Sequence, residues 1–146
     1  MAKIPKVCGG KSVIVFLSCG KTKAKHTCKA CEMYQGELFK KSFAYAKKLK
    51  PKKIYILSAK YKLLELDDII SPYELTLNSM NKQQQKKWAY DVYLQLKTKG
   101  QDFDEEAVFL CGDNYRKYLS QVFKNAKVPL QGLSFGNQLK FYKQNL

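Results

Sequence analysis

The chain has 146 residues, 45% of them hydrophobic and 13% aromatic, with 27 Lys and Arg against 12 Asp and Glu, for a formal charge of +15. That length and composition fit one globular domain that buries a core without metal or disulfide staples, and they agree with a folded globule rather than a disordered chain. No apolar run approaches the ~20 residues a membrane helix needs, and no signal peptide opens the chain, so the expected location is the cytoplasm. Residues 1–11 are polar and Gly-punctuated and read as a short arm ahead of the fold. Ser12 to Ser18 (SVIVFLS) is a continuous apolar run, as expected of a strand buried on both faces, and Cys19-Gly20-Lys21-Thr22-Lys23 leaves it. A loop to Tyr34 carries His26, Cys28 and Cys31. From Gly36 to Leu49 the residues Leu38, Phe39, Phe43, Ala46 and Leu49 share one helical face, and Lys50-Pro51 stops that helix.

A second strand runs through Ile54-Tyr55-Ile56-Leu57, and Ser58-Ala59-Lys60 leaves it for a long polar connection containing Glu65, Asp67, Asp68, Pro72, Tyr73 and Glu74. Asn78 or Ser79 is expected to cap a helix to about Lys97, with Trp88, Ala89, Val92 and Leu96 facing inward. Gly100 ends it. Ala107 to Cys111 reads as a third buried strand, and Gly112-Asp113-Asn114 as a turn and cap. Tyr115, Tyr118, Leu119, Val122 and Phe123 follow at the spacing of a helical core face. A fourth strand is expected around Val128–Leu130, then Gly132 and a last helix carrying Phe135, Leu139 and Tyr142. Apolar strands alternating with amphipathic helices predict a single α/β domain, with a mainly parallel sheet of at least four strands and helices on both faces.

The charge is uneven. Residues 1–62 hold 16 lysines and two carboxylates (Glu32, Glu37), whereas residues 63–146 hold 11 basic and 10 acidic groups. A one-sided basic surface points to a polyanionic partner, most simply nucleic acid or a nucleotide, with Lys21, Lys23, Lys25 and Lys29 crowding one loop as its phosphate contacts. The alternative is lysine usage typical of an AT-rich genome, which raises charge without any partner.

Two motifs carry less than their spelling. Cys19, His26, Cys28 and Cys31 have thiolates and an imidazole at short spacing, but there is one CxxC rather than two, so the expectation is free thiols and no bound metal or other cofactor. Cys8 and Cys111 read as incidental. Gly132-Leu133-Ser134-Phe135-Gly136 fits a G-x-S-x-G nucleophile pattern, but no Asp, Glu or His follows Ser134. Its glycines are expected to serve a tight turn and close helix packing instead.

The stretch ILSAKYKLLELDDIISPYELTL carries the clearest signature. Leu57-Ser58, Lys60-Tyr61, Leu63-Leu64, Asp67 or Asp68, Pro72-Tyr73 and Leu77 resemble a bacterial and phage domain family of unknown function related to the YaaA peroxide-stress proteins. Lys62 stands where that family has glycine. Ser18, Cys19, Lys21, Lys23, Met33-Tyr34-Gln35-Gly36 and Phe39 match it too, so the resemblance covers most of the chain. It implies a fold, and an association with DNA binding and oxidative stress, but carries no reaction.

If the first two strands are parallel neighbours, their ends face one crevice, where open α/β sheets bind ligands. Ser18, Cys19, Ser58, Lys60, Tyr61 and Tyr73 are expected to line one pocket there, with Gly112 and Tyr115 arriving from the third strand. Lys60, Tyr73, Asp68 and Glu74 are the catalytic candidates: a lysine for an anion, and a carboxylate for a proton. One reading is an enzyme acting on a nucleotide or nucleic-acid base, by glycosidic-bond or base-modifying chemistry. The other is a non-catalytic DNA-binding, stress-response module. A third, purely structural account has Lys60 pairing with Asp68 while Tyr73 fills a gap.

Overall fold

The computed structural model describes residues 12–146. The arm expected at residues 1–11, with Cys8, lies outside the described residues. The elements run β1 (Val13–Ser18), β2 (Cys28–Lys29), α1 (Ala30–Met33), α2 (Glu37–Lys48), β3 (Lys53–Ser58), β4 (Lys62–Glu65), β5 (Ile69–Ile70), α3 (Lys82–Thr98), β6 (Glu106–Leu110), α4 (Asp113–Arg116), β7 (Asn125–Lys127) and α5 (Phe135–Asn145). Short 3-10 turns cover Leu77–Ser79 and Leu119–Val122.

Five strands form the main sheet in the order β4-β3-β1-β6-β7. β1 pairs parallel with β3 and β6, and β6 with β7, while β4 joins the β3 edge antiparallel. The expected mainly parallel α/β sheet is therefore present, with one antiparallel edge. β1 lies at its centre because Ile14, Val15, Phe16 and Leu17 are all fully buried, each contributing roughly 1.5–3 kcal/mol by leaving water.

The pleat sorts these residues between two cores. Ile14, Phe16, Tyr55, Leu57, Ala107 and Phe109 face the side covered by Trp88, Val92 and Leu96 of α3. Val15, Leu17, Ile56, Val108 and Leu110 face Phe39 and Ala46 of α2 and Tyr142 of α5. Phe16 lies between the Tyr55 and Phe109 rings, with centroids 5.6 and 4.8 Å away. The connection after β1 thus crosses one face, towards β3, and the connection after β6 crosses the other, towards β7. The two leave the centre in opposite directions, so the carboxyl ends of β1 and β6 flank a crevice.

Several local expectations need correction. The chain after Ser58 is not a long polar connection but turns straight back as β4, pairing Leu57 with Leu63 and Tyr55 with Glu65. Lys62 enters that strand at φ +69°, the left-handed conformation that glycine adopts without steric cost. The cap of α3 is neither Asn78 nor Ser79, which lie in a 3-10 turn, but Asn81. Its side chain accepts from the Gln84 amide, and the Gln84 side chain accepts from the Asn81 amide, so two otherwise orphaned donors are satisfied at once.

The helix expected from Tyr115 to Phe123 divides into α4 and a 3-10 turn, although Tyr115, Leu119 and Phe123 are all buried. β7 comes three residues earlier than expected, at Asn125-Ala126-Lys127. The last helix carries Phe135 and Tyr142 as expected, Tyr142 buried and Phe135 63% exposed. Ser134 caps that helix by accepting from the Asn137 amide. Gly132 sits at φ +81° in the preceding turn, whereas a side chain at Gly136 would meet nothing within 4 Å, so close packing does not require that glycine. Among the described residues, no helix is long and apolar enough to cross a membrane.

Candidate functional site

The crevice at the β1 and β6 ends opens into a cleft of about 970 Å³, lined by Cys19 to Lys21, Lys23 to Lys25, Tyr115 and the connection from Pro72 to Ser79. Its floor is stitched from the strand ends. The Cys19 amide donates to Leu57 O at 2.9 Å, joining the β1 exit to β3, and the Gly112 amide donates to Ser18 Oγ at 3.4 Å, joining it to the β6 exit. The Tyr115 hydroxyl accepts from the Cys19 thiol and from the Leu77 amide, each at 3.3 Å.

Beneath one wall lies a chain of buried hydroxyls. Ser58, at the end of β3, accepts from the Tyr61 amide at 3.0 Å and donates to the Tyr73 hydroxyl at 2.7 Å. Tyr73 in turn shares a 2.7 Å hydrogen bond with the Tyr34 hydroxyl. The Ser58 carbonyl accepts from the Trp88 indole at 2.9 Å, so this residue is held from both sides of the sheet. Burial pushes the Tyr34 phenol up to about 12 and raises Tyr73 and Tyr115 as well, the nearby Cys19 adding to the rise in both of these. These phenols stay protonated at ordinary pH. They donate and accept hydrogen bonds but do not serve as bases.

Over this floor stand the lysines. Lys23 Nζ lies 4.6 Å from the centroid of the Tyr73 ring and donates to Lys21 O at 3.4 Å. The ammonium therefore covers the ring face that a base would stack on. Among the described residues, Lys21, Lys23 and Lys25 have no carboxylate within 4.0 Å. Glu74 is the one carboxylate among the cleft-lining residues, and it is exposed.

The structure does not bring all the expected residues together. Cys19, Tyr73, Glu74 and Tyr115 line the cleft with Lys21, Lys23 and Lys25. Ser18, Ser58 and Gly112 lie under it as supports. Tyr61 packs edge-on against Tyr73, its hydroxyl bonded to the Ser71 backbone at 3.2 and 3.3 Å. Lys60 lies elsewhere, lining a second hollow of about 640 Å³ with Trp88 and Asp91. Asp68 is remote in role: its carboxylate accepts from the Glu65 amide at 2.8 Å and closes the turn after β4. Lys60 and Asp68 form neither a shared site nor a salt bridge, because the unforeseen β4 hairpin separates them. Lys29 faces Asp67 at 3.7 Å instead of the cleft.

The thiols divide similarly. Cys19 belongs to the cleft, while Cys28 and Cys31 sit on β2 and α1, their thiols raised chiefly by burial and then by Glu32. All four described cysteines are free, and no three His, Cys, Asp or Glu among the described residues are grouped to hold a metal ion. Thr76 and Asn78 are cleft residues that the sequence did not single out. Asn78 resembled a helix cap, and the structure instead ties its side chain to Asn114 at 2.6 Å. Tyr34 belonged to the motif match without a role, and here it closes the hydroxyl chain.

Fold and cleft together define a small doubly wound α/β protein with its candidate site where the strand order reverses. The sequence profile of a family of unknown function, DUF6884, matches residues 14–144, and the chain belongs to that family. No curated protein matches it.

Proposed function

We propose that the cleft binds a phosphate-bearing nucleotide or nucleic acid, with Lys21, Lys23 and Lys25 meeting the phosphates. The observation that carries this reading is the set of three lysines on one loop, at the mouth of the cleft, without carboxylate partners among the described residues. Ammonium groups left unpaired beside a concavity raise the local concentration of anions. Around them the exposed Thr76 and Asn78 line the cleft as uncharged polar groups, beside the rings of Tyr73 and Tyr115. The pairing of concentrated positive charge with neutral polar groups suits a ligand that has both phosphate and base.

Binding without chemistry is favoured over catalysis by the separation of Lys60 and Asp68 from the cleft. If a reaction occurs, Glu74 is the residue able to accept a proton, and base release from nucleotides or oligonucleotides would disappear in Glu74→Gln with affinity retained. Kinship with the YaaA-related proteins and a DNA-linked stress role belong to the same proposal.

The test is titration calorimetry with nucleoside 5′-monophosphates and short oligonucleotides at two salt concentrations. Binding should weaken as salt rises, and Lys21→Ala or Lys23→Ala should weaken it further. If none of these ligands binds even at low salt, the reading fails.

A further inference from the structure

The cleft is not alone. The second hollow adjoins it, and Leu75 lines both. Leu75 is 42% exposed, so it forms an apolar ridge between two concavities. The second hollow has an apolar floor supplied by Ala59, Met80 and the buried face of Trp88, whose N–H is already taken by the Ser58 carbonyl. Around that floor are Lys60, Lys62 and Lys87. Asp91 holds Lys62 at 3.2 Å and Lys87 at 2.7 Å, and no carboxylate lies within reach of Lys60 among the described residues. Three lysines against one carboxylate leave the hollow positive.

We propose that the ligand is a single-stranded nucleic acid whose backbone crosses Leu75 and occupies both hollows, an inference that rests on the nucleotide-binding reading above. A mononucleotide fills one concavity and leaves the other lysine set unused. A strand uses both. Its phosphates pass from the Lys21–Lys23–Lys25 loop to Lys60, while a base lies on the apolar floor of the second hollow, the usual division of labour in single-strand grooves. Leu75 stands where two consecutive bases are parted. Duplex DNA is stiff over ~150 base pairs and does not dip into two pits on either side of a ridge, whereas a single strand bends at every nucleotide.

Fluorescence anisotropy with a labelled nucleoside monophosphate, a dT octamer and a blunt duplex of the same length tests this on the full chain. The octamer should bind at least tenfold more tightly than the monophosphate and more tightly than the duplex. Lys60→Ala should lower the octamer's log–log salt slope by about 0.7, one phosphate contact on a single strand. Leu75→Asp, a change at an exposed position, should weaken the octamer at least tenfold and the monophosphate far less. Equal affinity for monophosphate and octamer, or preference for the duplex, would overturn the strand inference while leaving nucleotide binding in place. No binding of any of the three would remove both.

Discussion

The cleft mouth and the β4 edge are both rich in lysine, and they differ in what faces each ammonium group. At the edge, Glu65 of β4 accepts from Lys53 of β3 and, at 2.7 Å, from Lys99 just past α3. Those hydrogen bonds, first Lys53 and then Lys99, hold the Glu65 carboxyl down at about 2. Asp91 is similarly clasped by Lys62 and Lys87. At the cleft, Lys23 lies over the Tyr73 ring, and Lys21, Lys23 and Lys25 have no carboxylate within 4.0 Å among the described residues. The first group fastens an edge strand to its neighbours. The second holds charge that no described carboxylate neutralises, and net charge alone does not distinguish the two.

The sharpest way to break this contrast is the triple variant Lys21→Ala/Lys23→Ala/Lys25→Ala. For a single-stranded ligand its log–log salt slope should fall by about 2, at about 0.7 per lysine. Its thermal midpoint should stay within about 3 °C, since surface changes away from packed features cost little. A large loss of stability with binding intact would reverse the assignment of the two groups. Tyr73→Phe comes next. It leaves the Ser58 and Tyr34 hydroxyls without their shared partner in a buried setting, a cost of about 1–3 kcal/mol by denaturant unfolding.

Glu65→Gln should cost about 0.5–1 kcal/mol, given the partial exposure of the three groups, and leave ligand affinity unchanged. A carboxyl depressed from 4.5 to about 2 contributes fully above pH ~4.5 and loses that contribution as pH falls towards 2. The stability gap between wild type and Glu65→Gln should therefore shrink across that interval, and a gap constant with pH would deny the pairing. The smallest effects belong to backbone positions. Lys50 follows α2 at φ +51°, and Lys50→Gly should gain up to about 1 kcal/mol by relieving left-handed strain. Lys62→Gly relieves the same strain but gives up the Asp91 contact, so its gain should be smaller.

Strands buried on both faces announce themselves, which is why β1, β3 and β6, and hence the crevice, follow from Val13–Ser18, Lys53–Ser58 and Glu106–Leu110. Edge strands do not. β4 is four residues bounded by Lys62 and Glu65, and β7 is Asn125-Ala126-Lys127, compositions that read as loops because an edge strand keeps one side in water. Missing β4 put Asp68 beside Lys60 and Tyr73, when the strand carries it to the turn after Glu65. The i, i+4, i+8 spacing of Tyr115, Leu119 and Phe123 identified buried residues but could not tell an α-helix from a 3-10 turn in so short a segment. The cleft lysines were legible as a cluster. Which of them would meet a carboxylate, as Lys29 does, depended on β2 and β5, two-residue strands with no sequence signal.

The hydroxyl chain under the cleft has a kinetic consequence. Tyr73 anchors the Pro72–Ser79 wall to Ser58, at the end of β3, and to Tyr34, just beyond α1, while Tyr115 holds the same wall at Leu77. A wall fastened at three points does not swing open to admit a ligand. Association should then be a one-step encounter: in stopped-flow mixing the observed rate rises in proportion to ligand concentration without levelling off, and ionic strength sets its slope.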